Sequence, residues 1–283
     1  MPPETSRAPE ARRALCLLAL LCLTLGAGST PFLDTYSFAE ESAIRWRLPR
    51  RLGEISGLAT SGERLFAHDD ERGIIYEIDH RKGRFLKAFA LGDATVRDDF
   101  EGIEIVNGRF YLVASSGRLY ESPEGRDGER VLYNSYATGV GRDCEVEGLA
   151  FEPADGALLL LCKNPSPQGF VAIHRWSPER RSAQGAPILV PVPTLAEGIG
   201  ADSFHPSGIE RHAETGHYLL VAAREGALAE ITANGDVLSV RKLPRRHRQP
   251  EGIALIAGRV LALADEGARG RAHLTLYRPS VKR

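Results

Sequence analysis

The sequence repeats itself. Five times a short apolar stretch opens with Ser or Glu, then Gly, then Ile or Leu: Ser56-Gly57-Leu58, Glu101-Gly102-Ile103, Glu147-Gly148-Leu149, Ser207-Gly208-Ile209 and Glu251-Gly252-Ile253. Successive glycines are 45, 46, 60 and 44 residues apart. A period of roughly 40 to 50 residues belongs to solenoids, propellers and arrays. After each signature comes a second apolar run of strand length, such as Phe110–Ala114 or Leu158–Cys162, usually behind a turn pair such as Asn107-Gly108 or Asp155-Gly156. Such pairs supply the positive φ that tight hairpins need. Third and fourth runs follow, as in Ile74–Ile78 and Phe85–Phe89. Four antiparallel strands per repeat make one blade, so the fold class is all-β, a β-propeller of five four-stranded blades.

Two irregularities bear on that count. The last repeat ends at Leu274–Tyr277 without a fourth strand, while Ala43–Leu48 alternates apolar and polar residues and has no partner of its own. Pairing the two closes the ring with both chain ends in one sheet and leaves no open seam. In the long third repeat, Pro187–Val192 suits an outer strand, where proline is tolerated. Glu197-Gly198-Ile199 matches the signature, but only ten residues separate Gly198 from Gly208, too few for a blade. Six blades are the alternative if a degenerate repeat lies there.

The chain has 283 residues, 43% hydrophobic and 26% charged, with a net charge of −1. This fits one globular unit and excludes bulk affinity for nucleic acid; the run Arg245-Arg246-His247-Arg248 reads as a solvated loop. Arg7, Arg12 and Arg13 precede an apolar stretch from Ala14 to Leu25, followed by Gly26, Ala27, Gly28 and Ser29. That is the layout of a secretory signal peptide. The expected organisation is a signal peptide or N-terminal membrane anchor at 1–29, a linker at 30–42 and the propeller at 43–283. High Arg and Ala content points to a bacterium. The expected location is therefore the periplasm or outside the cell, the alternative being an inner-membrane anchor through an uncleaved N-terminal segment. Cleavage leaves Cys144 and Cys162, just before the first strand and at the end of the second strand of one blade. Those ends are adjacent in a hairpin, so an oxidising compartment favours a disulfide; two buried free thiols are the alternative.

The first strand of a propeller blade lies nearest the axis. Ser56, Glu101, Glu147, Ser207 and Glu251 are thus expected to form a ring at one channel mouth. The second strand runs back, so its far end returns to that mouth and brings Asp69, Asp70, Lys163, Arg224 and Asp265 as candidate ligand-binding residues. Three carboxylates facing a narrow channel must be protonated, paired or bound to a cation. Lys163 and Arg224 are candidates for pairing. Glu101, Glu147 and Glu251 are candidate ligands for a hard cation such as Ca2+, which takes six to eight oxygens. The competing expectation is structural: each signature side chain binds backbone amides of a neighbouring blade and locks the ring. His68, His205 and His247 fall near the same mouth, where a general base would sit. There is no G-x-S-x-G elbow, P-loop, H-E-x-x-H or C-x-x-C.

Taken together, Ile55–Leu58 with His68-Asp69-Asp70-Glu71, Phe100–Ile103, Val146–Leu149 with Lys163, Pro206–Ile209 and Pro250–Ile253 resemble the SdiA-regulated family of bacterial β-propellers. The order Ser, Glu, Glu, Ser, Glu is similar to that family's, over roughly residues 40 to 280. The chain also looks like related phytase-like and esterase-like propellers. The resemblance implies an exported propeller. Two positions depart from the family pattern: His68-Asp69 stands where a Ser-Asp pair is common, and Ser115-Ser116 where a charged residue is expected. The Asp-rich motifs of calcium-dependent propeller phytases are absent.

Three functions fit these features. The first is a binding protein that takes a small molecule or a protein partner at the channel mouth, with a bound cation. The second is a metal-dependent hydrolase of a phosphoester, ester or lactone, in which the glutamates hold Ca2+ and His68 or Asp70 activates water. The third is a protein-interaction platform using the outer loops. Propellers host all three, so fold alone does not choose.

Overall fold

The computed structural model describes residues 30–164, 168–267 and 270–280. The expected signal peptide or anchor at 1–29 lies outside the described residues. Among the described residues, no helix is long and apolar enough to cross a membrane.

Five antiparallel sheets make five blades. The first holds Ile55–Ser61, Arg64–Asp69, Ile74–Asp79 and Arg84–Leu91; the second holds Phe100–Val106, Arg109–Ala114, Arg118–Pro123 and Asn134–Ala137. The fourth holds Gly208–Arg211, Tyr218–Ala222, Ala227–Ile231 and Val237–Lys242. In the fifth, Pro250–Ile256, Val260–Asp265 and His273–Tyr277 are completed by Ala43–Arg47, which pairs Ala43 with Tyr277 and Arg47 with His273. The N-terminal strand therefore closes the ring, as its unpartnered alternating pattern requires. The inner strand of every blade lies against those of its two neighbours, so the count of five is closed.

The third blade shows where its extra length goes. After Glu145–Glu152, Ala157–Lys163 and Phe170–Ser177, the outer edge is shared by a short Ser182–Ala183 and by Ile188–Pro191. The chain then turns into a single helix, Val192–Glu197, so the false signature at Glu197-Gly198-Ile199 begins at a helix end and no sixth blade exists. One pairing has no signal in the repeat: Arg130–Val131, between the third and fourth strands of the second blade, joins the outer edge of the first blade in parallel. This strap covers an edge that would otherwise offer free backbone groups.

The five signature glycines explain how the inner strands pack. None has positive φ. A Cβ on Gly102 would lie 2.7 Å from the backbone nitrogen of Leu149, one on Gly148 3.1 Å from the Cα of Gly208, and one on Gly208 2.5 Å from the carbonyl of Glu251. Glycine is required here by the approach of the next blade's backbone, not by its own dihedrals. The next signature residue, Leu58, Ile103, Leu149, Ile209 or Ile253, is buried at every blade. Together these five plug the axis and leave only about 10 Å³ of free space beside the ring.

Cys144 and Cys162 form a disulfide, with Cα atoms 5.6 Å apart. The inner hairpin pairs Val146 with Cys162 and Glu145 with Lys163, which sets the two half-cystines side by side.

Candidate functional site: a charged cup at the channel mouth

The signature Ser or Glu occupies a special backbone position. In the first, second, third and fifth blades the inner hairpin shifts register across Ser56, Glu101, Glu147 and Glu251, each the extra residue of a β-bulge. A bulge leaves its residue out of the ladder and re-aims the side chain. The bulges turn these four side chains toward the mouth, above the apolar plug. In the fourth blade Ser207 precedes the strand. Its hydroxyl donates to the carbonyl of Pro250 at 2.9 Å and accepts the amide of Ala223 at 3.1 Å, so this position does lock neighbouring blades together.

The three glutamates differ in how their charge is handled. Glu147 is buried and accepts a hydrogen bond from Lys163 Nζ at 3.0 Å. Burial still holds its pKa above the ordinary carboxylate value, with Lys163 opposing. Burial costs Lys163 some of its charge, but the bond to Glu147 more than restores it, so its pKa is raised. Glu101 has only the Ser56 hydroxyl, 3.2 Å away. Burial, then the negative fields of Glu147, Asp99 and Glu251, push it to about 9. Burial pushes Glu251 to about 7, with a hydrogen bond from Gln249 opposing and Glu147 and Glu266 adding repulsion. Within the ring, one ion pair offsets the charge of Glu147, and burial favours the protonated form of Glu101.

Beside the ring lies a cavity of about 500 Å³ formed by the third, fourth and fifth blades. Glu147, Lys163, His205, Arg224, Gln249 and Glu251 are among its lining residues. The N–H and ring Nδ1 of His205 lie 2.9 and 2.7 Å from the two carboxylate oxygens of Glu225, which fixes the imidazole at the wall. Arg224 is exposed and has no carboxylate within 4.0 Å among the described residues.

The structure thus brings Glu147, Glu251, Lys163 and Arg224 into one cavity wall, with Glu101 beside them in the ring. It separates the other candidates. Asp69 accepts the amide of Arg72 at 2.9 Å and its guanidinium at 3.2 Å, so it holds the turn after its own strand. Asp265 is buried against Nδ1 of His247 at 2.8 Å, and the other ring nitrogen faces the Tyr277 hydroxyl at 2.8 Å. Asp70 stands on the first-blade side. Burial and the nearby Glu54, Asp69, Glu266 and Glu71 push it to about 6, and its Oδ1 is buried without a partner. His68 is fully buried; Nδ1 meets the carbonyl of Asp69 at 2.9 Å, and Nε2 is enclosed under Gly57 without a partner. Burial lowers its pKa to about 4, so it sits below the mouth as a neutral core imidazole.

Among the described residues, the one group of three or more His, Cys, Asp or Glu side chains with donor atoms all within 4.8 Å is Cys144, Cys162 and His174, and its two sulfurs are joined to each other. The oxygens of Glu101, Glu147 and Glu251 do not meet that spacing as they stand.

Two further carboxyls went unread in the sequence. Directly after the three-residue signature, three blades carry Ala59, Ala150 and Ala254, whereas the second and fourth carry Glu104 and Glu210. Burial raises Glu104 to about 7, and burial followed by the field of Glu104 raises Glu210 well above the ordinary value. Aligning the repeats past their first three residues exposes the pair. Gln249, two residues before a signature, carries no such signal.

No protein-family model and no curated protein sequence matches this chain. Solved structures do. A glutaminyl cyclase from Myxococcus xanthus superposes with a TM-score of 0.57 at 15% identity, covering 83% of this chain and 97% of that one. A PQQ-bound aldose sugar dehydrogenase from Streptomyces coelicolor gives 0.52 at 17% identity, covering 83% and 98%. A gluconolactonase from Xanthomonas campestris gives 0.50 at 14% identity, covering 80% and 72%. At such identities the likeness shows a shared β-propeller fold.

Proposed function

We propose that this chain is an exported propeller of the SdiA-regulated type that binds a small polar ligand in the cup at its channel mouth. The observation that carries this is the Lys163–Glu147 ion pair in the wall of a cavity of about 500 Å³ whose axis is plugged beneath it. A plugged axis makes the mouth a blind cup rather than a pore. A cup with fixed positive groups, a protonatable carboxyl and an amide suits a ligand carrying both an anionic group and hydrogen-bonding groups. Arg224 supplies an unpaired guanidinium for the anion, and Gln249 and Glu251 in the same lining supply hydrogen bonds. The disulfide supports export, because such bonds persist in oxidising compartments.

A Ca2+ ion belongs to this proposal in a limited form. Lys163 already neutralises Glu147, so the residues free to hold calcium are Glu101 and Glu251 with the Ser56 hydroxyl. Glu101 and Glu251 would have to move together to share one ion, and deprotonation of Glu101 would accompany binding.

A second reading, a hydrolase of a phosphoester, ester or lactone, is favoured by one feature. Glu251 faces the cavity with a pKa of about 7, the range a general acid or base needs at neutral pH. Asp70, at about 6, is the better placed of the two groups expected to activate water, since His68 is enclosed.

The test is a thermal-shift screen of the mature domain against hydroxy acids, amino acids, sugar acids and lactones, with and without Ca2+. Binding in the cup requires hits that disappear in Arg224→Ala and in Gln249→Ala. Hits indifferent to both variants, or no hits at all, overturn it. Turnover of a hit, lost in Glu251→Gln, would select the hydrolase.

A further inference from the structure

The same face of the propeller carries a second feature, on the side of the first and fifth blades. Two cavities of about 550 and 560 Å³ adjoin there and share Arg47, Gly270 and Arg271 as a common wall. Arg45, Arg245, Arg246 and Arg248 complete the basic lining of the first, and Arg50, Arg51 and Arg72 that of the second. Among the described residues, four carboxylates, Asp265, Glu266, Glu54 and Asp69, stand in the lining against these nine arginines, an excess of five positive charges in a chain whose net charge is −1.

Local structure maintains that excess. Arg45 and Arg47 alternate along the outer strand of the fifth blade and so share one face, and Arg45 donates to the carbonyl of Arg246 at 3.1 Å. Among the described residues, Arg45, Arg47, Arg50, Arg51, Arg245, Arg248 and Arg271 make no ion pair, while Arg72 is paired with Asp69. Two of the acids are already engaged: Asp265 with His247, and Glu266 with Gln249. Arg246 is paired with the Glu40 carboxylate at 3.7 Å and anchored by the carbonyls of Phe38 and Glu40, yet its Nε is buried with no partner. Seven of the nine, Arg45, Arg47, Arg50, Arg51, Arg245, Arg248 and Arg271, are exposed, so solvent screens their repulsion in part, and an anion between them relieves the rest.

Apart from His273, the basic residues of the described lining are all arginine, with no lysine. Planar guanidinium forks bind the oxygens of phosphate in pairs, which an ammonium does not do. The basic lining continues from one cavity into the other through their shared wall, which fits an extended anion better than a single ion. Among the described residues, the His273 imidazole is the one aromatic ring in either lining, and no Phe, Tyr, Trp or long aliphatic side chain is there. A single imidazole does not make the row of stacking platforms on which proteins hold single-stranded nucleic acid, and the apolar wedge with which they enter a lipid surface is lacking. We infer that this trench binds a chain of linked phosphates without bases, of the inorganic polyphosphate type. The trench and the ligand cup share Arg248, but binding in one does not require binding in the other.

The test is calorimetric titration of the folded chain with orthophosphate, pyrophosphate, tripolyphosphate and long-chain polyphosphate, each at low and high salt. Affinity is expected to rise with chain length by at least about tenfold from pyrophosphate to the long chain, and to fall steeply as salt rises. Arg47→Glu with Arg271→Glu should abolish long-chain binding, and the loop pair Arg245→Ala with Arg248→Ala, which leaves the strands untouched, should weaken it at least about tenfold. Arg126→Ala, elsewhere on the surface, should change nothing. Equal affinity for all chain lengths, no binding, or binding that survives either double variant overturns the inference. So does equally tight binding of oligothymidylate, which would mean a nucleic-acid site, or of anionic vesicles, which would mean a lipid surface.

Discussion

Replacing Glu101 by Gln should stabilise the protein, and by an amount that grows with pH. Glu101 has a pKa near 9 in the folded chain because it is buried and surrounded by Glu147, Asp99 and Glu251, against an ordinary value of 4.5. A carboxyl with a raised folded-state pKa favours the folded state fully below the unfolded value. That contribution is lost as pH rises from about 4.5 toward 9, because the unfolded chain releases a proton that the folded chain keeps. Each pH unit in the window costs about 1.4 kcal/mol for one such group. Glu251 and Glu104, near 7, act in the same direction over the lower half of the window. Above pH 7 the slope belongs mainly to Glu101 and to Glu210, whose pKa is also strongly raised. Glutamine keeps the shape, accepts the Ser56 hydrogen bond and carries no charge. The advantage of Glu101→Gln over the parent should therefore increase by about 1 to 2 kcal/mol between roughly pH 7 and 8.5, after allowance for partial solvent access. Urea unfolding at several pH values measures it. Parallel stability curves for parent and variant would refute protonation as the way the ring handles its charge.

Reducing the disulfide, or making Cys144→Ser with Cys162→Ser, should cost about 3 kcal/mol for a loop of 18 residues, read as a lower urea midpoint; an unchanged midpoint would mean that the bond is not formed. Gly102→Ala places a Cβ 2.7 Å from the backbone of Leu149, which cannot move without shifting a blade, so a loss of about 1 to 3 kcal/mol is expected in the same assay. Gly148→Ala, with 3.1 Å available, should lose less. Lys163→Met leaves the Glu147 carboxyl buried without its partner and should cost about 1 to 3 kcal/mol at pH 7. Adding Glu147→Gln should restore most of that, and failure to do so would show that Lys163 acts through another group.

The architecture was legible because a propeller writes its geometry into the period. The spacing of the five glycines gave the blade count, and the unpartnered alternation of Ala43–Leu48 identified the closing strand. The third blade's outer strand was recognisable from its prolines. The parallel strap Arg130–Val131 was not, since two residues that pair with another blade leave no periodic trace. At the mouth, placement was legible and partnership was not. The sequence assembled Glu101, Glu147 and Glu251, and proposed Lys163 as a counter-charge, because strand order fixes which ends meet. It did not show that Asp69 and Asp265 turn aside to Arg72 and His247, because those pairings depend on side-chain direction. The bulges that aim the signature residues were also invisible, since one extra residue in a ladder changes register without changing composition. The basic run at 245–248 looked like a solvated loop in isolation; Arg47 and Arg271 beside it, brought in from distant positions, make it one wall of a trench.

The most direct test of a ligand cup at the channel mouth is the position of the first thermal-shift hit in a crystal structure of its complex. Density between Lys163, Arg224 and Glu251, above the plug of Leu58, Ile103, Leu149, Ile209 and Ile253, is the expected result. Density seated on the outer blade edges, with the cup filled only by solvent, would contradict it and return the ring of glutamates to a purely structural role.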